Sequence, residues 1–194
     1  MITRLQVGII IAFAVGTIVV TLWLTGEHVS WSWLSSIGTS ITLTYLMIKA
    51  FDKLLWRWPF LQGWFVNRPH LWGEWEVVIK SDWEDPETGK RSDNIQGKLS
   101  IRQTYSKVHA RLRTKESQGD LATSTIKKED DGRYWFYGVY RNEPDLTPER
   151  RSHVHNGSFR LEVEGEPNSP SELRGQYWTD RKTQGMLIAK PAPK

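Results

Sequence analysis

The stretch "RPHLWGEWEVVIKSDW", residues 68–83, puts Trp75, Val77 and Ile79 on one side and Glu74, Glu76 and Lys80 on the other. A period of two, apolar against charged, is the pattern of a β-strand with one face on a core. The chain keeps this grammar to its C-terminus, in short alternating runs punctuated by turn residues. Strands are expected near 71–82, 95–105, 107–117, 121–129, 133–143, 153–164, 171–180 and 184–190. "DPETGKRSDN", "ESQGD", "EDDGR" and "EGEPNSP" supply turns, and "NEPDLTPERRS" a longer connection. Neither a helical period nor an internal repeat interrupts this half. Eight sequential strands on short loops predict an antiparallel up-and-down β-barrel, whose interior side chains can just fill or which can hold one small ligand. A two-sheet sandwich is the alternative.

Upstream the composition changes. Leu5 to Leu24, "LQVGIIIAFAVGTIVVTLWL", is twenty residues without a charge, enough to cross ~30 Å of hydrocarbon as a helix. Trp31 to Ile48, "WSWLSSIGTSITLTYLMI", is eighteen more, also uncharged but rich in Ser and Thr. Such hydroxyls bond back to the preceding turn or across to a neighbouring helix. "TGEHVS" between them allows only a tight hairpin, so two transmembrane helices are expected. The first run is too long for a secretory signal, and a second span follows at once.

Arg4 precedes the first span and Lys49, Lys53 and Arg57 follow the second, while the connecting loop has no Lys or Arg. The positive-inside rule then predicts a two-pass membrane protein, with both termini and the β-domain in the cytoplasm. Trp56, Trp58 and Trp64 stand where an aromatic belt would lie, and Pro59 limits any continuing helix. The expected divisions are a hairpin over 1–49, a Trp-rich connector over 50–69 and the barrel over 70–194.

Cysteine is absent from the 194 residues, which excludes disulfides and thiolate sites and suits a reducing compartment. A formal charge of +4, with 26 basic residues against 22 acids, argues against a coat for DNA or RNA, where a basic stripe would stand out.

Alternation assigns inward faces. Trp75, Val77 and Ile79 are matched by Leu99, Ile101 and Gln103, by Val108, Ala110, Leu112 and Thr114, and by Gly157, Phe159, Leu161 and Val163. Continued, these faces turn polar toward one end, at Thr114, Tyr140, Asn142, His155, Tyr177 and Thr179, with Arg181 just beyond. Thr123, Ser124 and Thr125, read as the start of the fourth strand, are expected on the same rim. In a meander rising from the membrane this is the distal mouth. Gln103, near the other end, reads as a buried structural group.

Aromatic rings, hydroxyl and amide donors and a cation suit a planar anionic ligand: rings stack bases for ~1–3 kcal/mol each, and Arg grips phosphate bidentately. The expected ligand contacts are Tyr140, Asn142, His155, Tyr177, Thr179 and Arg181, with Thr123 and Thr125 behind them. Catalysis finds no motif, whether HExxH, nucleophile elbow, Walker loop or dinucleotide turn. His153 and His155 would make half a metal site without a completing carboxylate. Neither enzyme activity, cofactor nor metal is therefore expected.

"IRQTY" (101–105), "TST" (123–125), "VYRNEPD" (139–145), "HNGSFRL" (155–161) and "LRGQYWTDRKTQG" (173–185), behind two N-terminal spans, resemble the SMODS-associated two-transmembrane β-strand-rich effectors of bacterial cyclic-oligonucleotide-based antiphage signalling (CBASS). Arg141 departs from the apolar residue expected there. The resemblance implies a lipocalin-like barrel that binds a cyclic dinucleotide made by a partner nucleotidyltransferase. It also implies homo-oligomerisation, disruption of the lipid bilayer of the bacterial inner membrane, where the protein would reside, and death of the infected cell. The rival reading is a membrane-anchored carrier of a lipid or other apolar ligand, which would need a wide, apolar interior.

Overall fold

The computed structural model describes residues 4–25, 33–84, 89, 94–145 and 154–193. Most of the expected hairpin loop "TGEHVS", much of "DPETGKRSDN", the second half of "NEPDLTPERRS", and His153 lie outside the described residues. The chain forms two compact units, Met1–Val66 and Asn67–Lys194.

The first unit holds α1 (Arg4–Thr25), α2 (Trp33–Lys53) and two short 3-10 turns, Leu55–Arg57 and Pro59–Leu61, the second opened by Pro59. Among the described residues one helix is long and apolar enough to cross a membrane, over Val7–Leu24 with mean hydropathy 2.5. The expected second span is a helix too, but Thr39, Ser40, Thr42 and Thr44 dilute its apolar character. The hydroxyls work as anticipated. Ser40 is buried, donates to Ala14 O at 2.9 Å and bonds the Thr17 hydroxyl at 2.5 Å, so α1 and α2 are joined by polar contacts. Thr21 and Thr42 bond back to Thr17 O and Gly38 O in their own helices. Of the tryptophans read as a belt, Trp58 and Trp64 are exposed, whereas Trp56 is fully buried.

The second unit is a closed barrel of eight antiparallel strands in sequence order. They are β1 (Gly73–Ser81), β2 (Ile95–Gln103), β3 (Val108–Thr114), β4 (Ser117–Lys128), β5 (Tyr134–Pro144), β6 (His155–Glu166), β7 (Ser169–Thr179) and β8 (Gln184–Pro191). β8 returns to pair with β1, from Ser81↔Gly185 to Trp75↔Pro191, which rules out the sandwich. The faces read from alternation are the faces observed: Trp75, Val77, Leu99, Ile101, Ala110, Leu161 and Val163 are buried in one cluster with Phe136, Leu173 and Ala189. Arg141 points outward and pairs with Glu143 at 3.0 Å, so the polar residue in an apolar place is on the solvent side.

One strand is misread. The β3–β4 hairpin turns at Lys115 and Glu116, and "ESQGD" is therefore mostly strand, with β4 starting at Ser117 rather than 121. The cause is Thr114, whose hydroxyl accepts from the backbone N–H of Glu116 and Ser117 and closes the turn without glycine. A bulge between Leu121 and Thr123 then shifts the register against β5, and one extra residue reverses which side chains face in.

The proximal end, where the chain enters β1, is pinned by Gln103. Its side chain is 1% exposed, its Oε1 accepts from Leu71 N at 2.7 Å, and its Nε2 donates to Pro69 O at 2.9 Å. Trp75 Nε1 donates to Leu71 O at 3.0 Å, so strand and lead-in are tied twice. Replacing Gln103 by Leu strands a buried donor and a buried acceptor, each costing about 1–3 kcal/mol. The expected outcome in a thermal melt is a midpoint lower by roughly 10 °C; an unchanged midpoint would show that water replaces both bonds.

Candidate ligand-binding mouth

The distal end is framed by the β1–β2, β3–β4, β5–β6 and β7–β8 connections. Its lining begins with glycines. Phe159 packs edge-on against Phe136, with ring centroids 5.0 Å apart, and Tyr140 lies nearly parallel to Phe159 at 6.4 Å and 26°. These rings fit because the cross-strand position beside each lacks a side chain. A Cβ on Gly157 would clash with the Cζ and hydroxyl of Tyr140, one on Gly138 would meet Phe159 at 2.5 Å, and one on Gly185 would meet Tyr177 at 2.8 Å. The rings therefore lie along the wall and form an aromatic floor.

Above the floor the lining is polar. Asn142 is half-buried beside Gly119, in register with His155 across the β5–β6 ladder. Tyr177 is buried and hydrogen-bonded with the Ser81 side chain. The Thr179 hydroxyl is shared with Thr183 at 2.7 Å inside the β7–β8 turn, and Thr114 is similarly held by Ser117. Arg181 is exposed on that turn, close enough for its charge to act on Tyr140. The structure thus brings Tyr140, Asn142, His155, Tyr177, Thr179 and Arg181 to one end.

Thr123 and Thr125 do not join them. Both are exposed and lie mid-strand, opposite outward-facing Val139 and Tyr137, because β4 begins four residues early and bulges before Thr123. Ser124 takes the inward side instead and donates to Val108 O at 3.0 Å, bracing the β3–β4 seam where ladder pairing stops at Arg111 and Asp120.

Two clamps escaped the sequence reading. Asp180 Oδ2 accepts from Asn156 N at 2.9 Å while Asp180 N donates to Asn156 O at 3.0 Å. Asp82 does the same with Gln184, its Oδ1 accepting at 2.8 Å and its N donating at 2.9 Å. Each extends a ladder by one step past the strand, and the only signal was an Asp directly after each strand. Among the described residues no group of acids and histidines is arranged to hold a metal.

The electrostatics mark the Tyr140 phenol. Burial pushes its pKa well above the ordinary value, the neighbouring Tyr177 and Asp180 add to the rise, and Arg181 opposes it. Burial also raises Tyr177, partly offset by its bond with Ser81. At neutral pH both are hydrogen-bond donors at the edge of an apolar floor, a surface shaped for a flat ring with polar edges.

Fold and mouth together define a receptor barrel for a small ligand, in one chain with a membrane-type helix. Residues 66–190 match the family model described as Cap15, cyclic dinucleotide receptor domain. Two relatives, each called CD-NTase-associated protein 15, align over 170 residues. The one from Yersinia aleksiciae is 33% identical, covering 85% of this chain and 76% of its own. The one from Staphylococcus schleiferi is 26% identical, covering 88% and 83%. The chain belongs to the Cap15 family of CBASS effectors, and its barrel is the family's cyclic dinucleotide receptor domain.

A phenol that stays protonated only in the folded barrel costs stability once the unfolded chain can ionise. The unfolded state then binds fewer protons, so stability should fall as pH rises above about 10. Melting temperatures followed across that range should drop, and Tyr140→Phe should flatten the slope; equal slopes would place the phenol in solvent.

Proposed function

We propose that the distal mouth binds a cyclic dinucleotide released by a partner nucleotidyltransferase, and that binding drives homo-oligomerisation and disruption of the inner membrane. The observation that carries the reading is the aromatic floor beneath a polar rim. Tyr140 and Phe159 offer faces for a base, while Asn142 and the phenols of Tyr140 and Tyr177 offer edge contacts. His155 and Arg181 supply hydrogen bonds and charge to the phosphates. Thr179 steadies the turn that presents Arg181.

The membrane part of the reading is a two-pass hairpin. α1 crosses as an apolar span. α2, with its hydroxyls partly satisfied by α1 and by its own backbone, crosses beside it. Arg4 on one side and Lys49, Lys53 and Arg57 on the other keep the termini and the barrel in the cytoplasm. Association of barrels concentrates the hairpins, and the assembled hairpins break the barrier, which kills the infected cell before the phage matures.

A thermal-shift titration of residues 66–194 against a panel of cyclic dinucleotides tests the receptor step. A ligand that binds only the folded state raises the melting temperature according to its concentration over its Kd. One or two members should do so, and Arg181→Ala should leave the barrel folded while weakening that shift by about tenfold to a hundredfold in ligand concentration, as loss of a charge-assisted bond worth ~1.5–3 kcal/mol implies. No shift with any member, from a folded barrel, would sink the receptor reading.

Replacing both spans by an unrelated hairpin separates the two tasks. Binding should persist and membrane permeability should stay normal after signalling. Retained killing would contradict the division of labour.

A further inference from the structure

The outer wall of the barrel over β5–β8 carries a groove of about 360 Å³ lined by Trp135, Arg160, Glu162, Arg174, Gln176 and Met186. Among the described residues its charges are only partly spent. The Arg160 guanidinium lies on the Trp135 ring at 3.9 Å. Neither Arg160 nor Arg174 has a carboxylate partner among the described residues. Among the described residues Glu162 pairs with Arg133 at a loose 3.4 Å, and Arg133 is already bound to Asp131 at 2.6 Å.

The registers order this wall in rows. Trp135, Glu162, Arg174 and Ile188 stand side by side across β5 to β8, and Tyr137, Arg160, Gln176 and Met186 form the next row toward the distal end. A twofold axis lying along the surface between these rows, perpendicular to the strands, brings each row against the other in a second copy. Arg160 then faces Glu162, Trp135 faces Tyr137, and Met186 faces Ile188. Every contact occurs twice, as an isologous interface requires. The acidic residues in the groove oppose a free anion there, and the matching of like with like and charge with countercharge fits a second copy.

We infer that this wall is the surface by which two receptor barrels of this protein associate, through a twofold contact centred between Arg160 and Glu162. The inference rests on the proposed oligomerisation and names its interface. It lies on the outside of the barrel, with side chains distinct from those of the mouth.

The absence of cysteine from the chain makes a direct test available. Gln176→Cys places one thiol beside the axis, and Arg113→Cys places one on the exposed outer face of β3. The full chain in native membranes is treated with a short bismaleimide, with and without a mixture of cyclic di-AMP, cyclic di-GMP and cyclic AMP–GMP. Gln176→Cys should give cross-linked dimer and Arg113→Cys should not. Adding Arg160→Glu should cut the dimer about tenfold or more, since two like-charge pairs replace two attractive ones. The double change Arg160→Glu with Glu162→Arg should restore it, because a twofold contact between swapped residues is blind to exchanging them.

Failure of the double change to restore dimer, or loss of none in Arg160→Glu, overturns the interface. Cross-linking at Arg113→Cys alone overturns it while leaving oligomerisation standing. Monomer throughout, under every nucleotide, overturns both.

Discussion

Eight strands close a narrow barrel, and in its distal half the large rings that enter are matched by glycines across the strand. The packing of rings onto cross-strand glycines is therefore the constraint on which the rest depends. Gly138, Gly157 and Gly185 surrender their side chains so that Phe159, Tyr140 and Tyr177 can lie along the wall. That arrangement decides three things together. It fills the distal half without overpacking, it lays the Tyr140 phenol over Gly157 and the Tyr177 ring over Gly185, and it presents ring faces. A methyl group at any of the three would push a ring inward and cost both packing and shape.

The two ends of the barrel solve opposite problems. At the proximal end a buried amide, Gln103, satisfies the backbone of the incoming chain completely and makes a rigid plug. At the distal end the polar groups are only partly spent on one another. Turn hydroxyls are absorbed by Thr114, Ser117, Thr179 and Thr183, and the Asp82 and Asp180 clamps hold the ladders closed to their last step. The rigid rim leaves the Tyr140 phenol, half-buried and kept protonated by its surroundings, as a donor at the opening. Satisfied polar groups specify the fold, and the less satisfied ones have capacity for a ligand.

Much of this was legible in the alternation. Where a strand ran without interruption, as in β1, β2, β3 and β6, a period of two sorted interior from exterior at every residue named. The reading failed where a local side chain did the work of a turn residue. Thr114 caps a hairpin that has no glycine at its tip, so "ESQGD" looked like the turn and Thr123 and Thr125 were placed on the rim. The bulge at Leu121 then sent them outward, an effect set by cross-strand pairing and invisible along one strand. Trp56 shows the same limit: its spacing matched an exposed belt, and only tertiary packing decides that it is buried. The clamps by Asp82 and Asp180 depend on partners more than twenty residues away, beyond any local pattern. α2 was readable as a helix, while the bonds of its Ser40 to Ala14 and Thr17 depend on the neighbouring helix.

The closure of β8 onto β1 has a consequence for how the protein is made. Chains emerge from the ribosome N-terminus first, so the apolar α1 is available to a membrane long before Gln184–Pro191 exists. Until those residues pair with Gly73–Ser81, the barrel is an open sheet with two bare edges and no finished mouth. A chain cut short of β8 would keep the apolar α1 and lack a closed barrel. Because the closing strand lies downstream of the other seven, the receptor barrel is complete only after all eight have been made.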